Sequence, residues 1–237
     1  MSRRLTRAIA AGVAAIAIAG GAYGIVDATS SGGSAAAGIA NTTTAASSPR
    51  SGPAGGGGSN ARSGPAAGGT VGTVASVSTS SFTVSTAGGQ KVTVNKTSST
   101  KYKKGTGSSS ASAIKAGVRV LVLGTTNGTT ISATQVIAQP TGIKSDASST
   151  IVPFQRGAPS TAKQVGQIPT NYTEGSGTIV SGTTANKATE AALAAYPGGV
   201  VDRVVKLSNG EYEVHNIGVN WPHHVFVDKN FKVVGAD

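Results

Sequence analysis

The sequence predicts two small modules. The first is an all-β, OB-like barrel over residues 70–140. The second is an α+β unit over 177–237, with one helix on a three- or four-stranded antiparallel sheet. Three observations predict this. Between Thr70 and Pro140, short alternating apolar runs are separated by turn residues, with no segment of helical period. After Gly177, one helix-period stretch is stopped by Tyr196-Pro197-Gly198-Gly199 and followed by valine-rich strands. Aromatic residues are only 4% of the chain and glycine numbers 34 in 237 residues, so the cores are expected to be small and separated by flexible segments.

Residues 1–27 read as a signal peptide or signal anchor. Arg3, Arg4 and Arg7 precede an uncharged run from Ala8 to Val26. As a helix this run spans about 28 Å, close to the roughly 30 Å of membrane hydrocarbon. The positive end stays inside, so the remainder is expected outside the cytoplasm. It is either anchored by this single helix or secreted after cleavage near Ala17-Ile18-Ala19 or Val26-Asp27-Ala28. Residues 28–69 are Ser, Gly, Ala, Thr and Pro with a four-glycine run from Gly55 to Gly58, and are expected to be a disordered tether.

Within the barrel region, Val71, Thr73, Ala75 and Val77 alternate, Phe82 and Val84 follow, and Gly88-Gly89 leads into Val92 and Val94. Val118 to Leu123 is a denser run that reads as a more buried strand, and Asn127-Gly128 marks a hairpin before Ile131, Ala133 and Val136. Residues 141–176 form a proline-bearing connector whose Ile151, Val152, Phe154 and Ile168 could dock on a neighbouring module.

In the last module, Thr183 or Thr184 is the expected N-cap of a helix through Asn186 to Ala195. Val200 to Leu207 reads as a strand and Asn209-Gly210 as a type I′ turn. Glu211 to Ile217 is a second strand, with Glu211, Glu213 and His215 on a solvated face. His223 to Asp228 and Phe231 to Val234 complete the sheet.

The net charge is +11, and no acidic residue lies between Asp27 and Asp146. The front of the chain is basic and the C-terminal module nearly neutral. Outside a cell, a basic surface suits anionic wall polymers or lipid headgroups, and the plain alternative is a solvated surface. The candidate anionic-ligand patch is Lys101, Tyr102, Lys103 and Lys104, where cations flank an aromatic ring. The compartment argues against nucleic acid.

Cysteine is absent, which excludes disulfides, thiolate metal sites, cysteine nucleophiles and a lipoprotein anchor. Serine followed three residues later by lysine occurs at Ser98/Lys101 and Ser112/Lys115 without the companion motifs of penicillin-binding enzymes. No catalytic residues, no cofactor and no enzyme activity are expected. For a metal the candidates are His215, His223 and Glu213. A hairpin centred near Val219 sets His215 opposite His223 and turns His224 to the other face. Trp221 reads first as a cap of the core or an anchor of the loop, and Trp221 and His224 are candidates for a partner interface if exposed.

Two stretches resemble known families. Gly72-Thr73-Val74, Ser81-Phe82-Thr83-Val84, Thr100-Lys101-Tyr102 and Ala116-Gly117-Val118-Arg119-Val120 resemble a barrel family of unassigned function found in exported bacterial proteins, which implies a fold and no activity. Ala188 to Ala195 with Tyr196-Pro197-Gly198, then Asn209 to His215, Val225 to Asp228 and Phe231 to Gly235, resemble the PepSY family. That resemblance implies a module that binds or restrains an extracytoplasmic peptidase. The leading expectation is therefore an exported interaction protein, and the alternative is a binder of anionic polymer or headgroups through the barrel.

Overall fold

In the computed structural model the described residues are 64–139, 151–157 and 163–237. The export segment and the tether up to residue 63 lie outside them.

Twelve residues of β1 (Ala66–Val77) organise the molecule. Its first part pairs antiparallel with β6 (Arg119–Asn127) and its last part with β2 (Ser81–Ser85). β2 continues to β3 (Lys91–Asn95), and β3 lies parallel to β7 (Thr130–Ala138). The β6–β7 hairpin returns to β1 and closes a five-stranded barrel. β4 (Lys101–Lys104) lies along β7 beyond β3, with β5 (Gly107–Ser108) outside it. Alternation fills the interior. Val74, Phe82, Val84, Val92, Val94, Val120, Val122, Ile131 and Val136 point inward and pack as one cluster.

The expectation of separated modules is corrected. On its free edge β1 pairs with β11 (Val200–Lys206), through Gly69↔Val201 and Thr70↔Val200, so barrel and α+β unit share a continuous sheet. The Thr70 hydroxyl donates to the Gly199 carbonyl at 2.9 Å across the junction. The tether also ends earlier than its composition suggested, because Ala66 to Gly69 are already strand. Three strands converge there, and a Cβ on Gly68 would run into the Val201 carbonyl oxygen, while one on Gly69 would meet that of Val122. These glycines serve close approach rather than mobility.

The helix α1 (Gly182–Ala195) begins at an N-cap of Ser181, two or three residues earlier than expected, and Ser181 makes no side-chain cap bond. Its small buried face (Ala185, Ala188, Thr189, Ala192) with Leu193 packs on two layers at once. One layer is the outer surface of the barrel, Val71, Leu121 and Leu123. The other is the sheet of β11, β12 (Tyr212–Ile217), β14 (His224–Val227) and β15 (Val233–Ala236). This explains the dense run 118–123. Its even positions fill the barrel and its odd positions meet the helix, so the strand is buried on both faces.

The connector is not a bare spacer. Its described parts supply β8 (Val152–Pro153), which pairs with β13 (Val219–Trp221), and β9 (Val165–Gly166), which extends the sheet beyond β15. β10 (Thr178–Ile179) pairs with β11. Ile168, Tyr172 and Ile179 then cover Val205, Leu207 and Phe226 on the sheet face away from the helix.

One turn differs from expectation. At Asn209-Gly210 only the glycine has positive φ, +87°, and the Gly210 amide donates to the Leu207 carbonyl, so the loop is a turn closed by a left-handed glycine rather than type I′. The same design recurs at 228–232, where the left-handed position holds Phe231 at φ +62°. There the Asp228 carboxylate accepts the Asn230 and Lys232 amides, and the Phe231 ring stacks on Tyr212 at 5.5 Å.

Candidate functional site

Every charged side chain from 64 to 139 is basic: Lys91, Lys96, Lys101, Lys103, Lys104, Lys115 and Arg119. On β4 the strand alternation divides the expected patch. Tyr102 turns toward the barrel core, where burial raises its phenol pKa, so it is not a free stacking face. Lys101 and Lys104 are exposed. Lys103 is half-buried and acts electrostatically on Glu190 of α1, whose carboxyl is pushed up by burial and pulled back by Lys103 and Lys187. Glu190 lines a cleft of about 410 Å³ between the barrel wall and the helix, floored by Val71, Leu121, Ile137 and Leu193.

Trp221 is 1% exposed. Its indole nitrogen donates to the Lys163 carbonyl at 2.6 Å, its ring meets Tyr196 edge-on, and the Lys163 ammonium lies over it at 4.1 Å. It anchors the connector to the core and offers no surface to a partner, which corrects the interface expectation.

The histidines are also placed differently. β12 and β14 pair with His215 opposite His224, one residue away from the expected register. A slip of one residue exchanges faces, so His224 joins His215 instead of opposing it. The face is not solvated either: Glu213 is 1% and His215 8% exposed, with Tyr172 of the connector on Glu213 and Asp202 and Arg203 of β11 against His215. His223 sits at the mouth and its ring still joins the group. The ring centroids are 5.2 Å (215–224), 5.4 Å (215–223) and 5.9 Å (223–224) apart.

Around the rings is a network that the sequence reading did not single out. The His215 Nδ1 lies 2.6 Å from Asp202 Oδ1, and His224 Nδ1 lies 3.0 Å from Asp237 Oδ1. A bulge between Val201 and Arg203 makes Asp202 the extra residue of β11 and sets its carboxylate beside the cluster. Arg203 is 2% exposed, and its Nη1 reaches Asp202 Oδ2 at 3.3 Å. It also lies 3.0 Å from His215 Nδ1. A single nitrogen cannot donate to Asp202 and accept from Arg203, and the shorter, charge-assisted bond puts the proton on Nδ1 toward Asp202. The Tyr172 hydroxyl donates to Glu213 Oε1 at 3.2 Å, and His224 Nε2 is 3.5 Å from the same oxygen. Burial raises the Glu213 pKa, opposed by His224, Arg203, His215 and the tyrosine bond. Burial lowers that of His223, helped by His215 and His224. Arg203 Nε and Nη2 and His224 Nε2 are buried without a hydrogen-bond partner.

The sequence did hold a signal for this network. An Asp-Arg doublet interrupts Val200-Val201-Asp202-Arg203-Val204-Val205, and charge inside so apolar a strand needs partners. Among the described residues, no group of three or more His, Cys, Asp or Glu side chains is placed so that it could hold a metal ion as it stands. Among them, too, no helix is long and apolar enough to cross a membrane.

Comparison with known proteins finds one match. Residues 71–137 match a domain of unknown function, DUF5666. The match covers the closed barrel, and no PepSY match is found for the C-terminal unit. No curated protein and no solved structure matches the chain. The barrel of this chain, residues 71–137, is thus a DUF5666 domain.

Proposed function

We propose that the chain is an exported binding protein whose barrel, OB-like in strand order, holds a phosphate-rich anionic polymer of the cell envelope. One observation carries the reading: a closed barrel on which every charged group is cationic, with Lys91, Lys101, Lys104 and Lys115 exposed. A surface of one sign concentrates polyanions by long-range attraction. Fusion to the α+β unit through β1 and α1 makes the barrel a rigid platform at the end of the tether. The cationic Arg3, Arg4 and Arg7 before Ala8 to Val26 support export.

The test is binding of a linear polyphosphate, read by sedimentation or anisotropy across a salt series. Affinity is expected to fall steeply with ionic strength. Lys101→Gln with Lys104→Gln is expected to lower the slope of log affinity against log salt by about one for each contacting lysine. Salt-insensitive binding, or a slope unchanged in the double variant, rejects the barrel as the site. Anionic vesicles run beside the polymer separate a headgroup from a wall-polymer preference.

A second reading rests on the order of the last unit, α1 followed by the antiparallel strands β11, β12, β14 and β15, with the PepSY-like residues Ala188 to Ala195 and Asn209 to His215. It makes this unit the binder of an extracytoplasmic peptidase. Inhibition of such a peptidase by the chain supports it, and an undiminished hydrolysis rate at saturating chain rejects it.

A further inference from the structure

We propose that His215, His224 and Glu213, completed by His223, form a binding site for one divalent transition-metal ion of the zinc type. Three observations lead there, and none depends on the basic barrel.

The first is spacing. Two imidazoles sharing one tetrahedral ion, with metal–nitrogen bonds of about 2.0 Å, hold their ring centroids about 5 Å apart. The three histidine rings stand 5.2, 5.4 and 5.9 Å apart. The second is orientation. Metal-bound histidines characteristically give their other ring nitrogen to a carboxylate. Here His215 Nδ1 engages Asp202 and His224 Nδ1 engages Asp237, which leaves both Nε2 atoms as donors. The third is an unmet demand. His224 Nε2 is buried without a hydrogen-bond partner, 3.5 Å from Oε1 of the almost fully buried Glu213. An ion between these two atoms would satisfy the unpartnered nitrogen and share the oxygen that already accepts from Tyr172.

As placed, the donors could not hold an ion, so binding requires a movement of side chains. His223 supplies it from the exposed mouth, by exchanging its hydrogen bond to the Asn216 backbone for the ion. Arg203 opposes a cation, but its Nη1 lies on the Nδ1 side of His215, against Asp202. The carboxylates of Asp202, Glu213 and Asp237 outnumber that one guanidinium. Mixed imidazole and carboxylate ligands select zinc-like ions over magnesium or calcium.

The experiment titrates the full chain with Zn²⁺ by calorimetry and with Co²⁺ by visible absorption, which is intense for four-coordinate and faint for six-coordinate cobalt. The expected result is one ion per chain with an intense cobalt spectrum. Affinity should fall at least tenfold in His215→Ala and in His224→Ala, and about tenfold in Asp237→Asn, which removes an orienting carboxylate and no ligand. If the alanine variants fail to fold, Asp237→Asn and the imidazole nitrogen NMR shifts of the unaltered chain on zinc addition decide. Shifts at the Nε2 atoms of His215 and His224 support the site. No saturable binding, a faint cobalt spectrum, or a shift at His223 alone overturns it.

Discussion

Replacing Leu123 by alanine tests whether barrel and α+β unit are one cooperative body. Leu123 is fully buried, yet it belongs to the outer face of the barrel and packs in the cluster of α1, β11, β12 and β14. Deleting a buried leucine side chain costs about 2–5 kcal/mol, the upper part of that range applying where neighbours cannot collapse into the gap. Leu123 is held between a closed barrel wall and a helix pinned on two sides, so about 3 kcal/mol or more is expected. For a folded body of this size each kcal/mol lowers the midpoint by about 2–4 °C, giving a fall of about 6–12 °C. The assay is calorimetry together with amide exchange. In one cooperative body the slowest amides of β12 and β14, at Val214 and Val225, lose protection by the same free energy as those of β2 and β3. Two separate calorimetric transitions, or unchanged protection at Val214 and Val225, would refute the shared-core argument.

Other positions give sharper local tests. Gly68→Ala places a Cβ against the Val201 carbonyl, so it should weaken the β1–β11 junction by about 1–3 kcal/mol, with exchange quickening first at Val200 and Val201. Phe231→Gly relieves a left-handed backbone worth about 1–2 kcal/mol but loses the stack on Tyr212, while Phe231→Ala loses the stack and keeps the strain. The glycine variant is therefore expected to be the more stable of the two in urea unfolding, and the reverse order removes the strain argument. Asp228 has its pKa lowered, first by the Lys232 amide, so its contribution is present above the ordinary 3.8 and lost as pH falls through the lower folded value. Asp228→Asn should flatten the stability profile in that acid window and nowhere else. Burial raises the Glu190 pKa, so its contribution is present below the ordinary 4.5 and lost as pH rises through the raised value. Glu190→Gln should thus gain stability relative to the parent above that value, and an unchanged difference between pH 4 and pH 7 would contradict it.

The β2–β3 and β6–β7 hairpins were legible because period-two alternation and Gly-bearing turns are local properties. The helix stop at Tyr196-Pro197-Gly198-Gly199 was legible for the same reason, since proline and glycine restrict the backbone whatever surrounds them. The histidine register was not. It depends on where β14 resumes after β13 and Pro222, a difference of one residue that carries no signature in composition.

By itself, then, the sequence determined the barrel strands, the single helix, the valine-rich sheet and the wholly basic character of residues 64–139, because each follows from neighbours along the chain. The tertiary structure alone decided that Gly68 and Gly69 are a three-strand junction and that Leu121 and Leu123 face a helix from a distant part of the chain. It also decided that Glu213 and His215 are buried instead of in water, with Tyr172 of the connector on the glutamate. Those outcomes depend on which surfaces meet across about forty or more residues of chain. Alternation tells two faces of a strand apart, and only packing says what covers each of them.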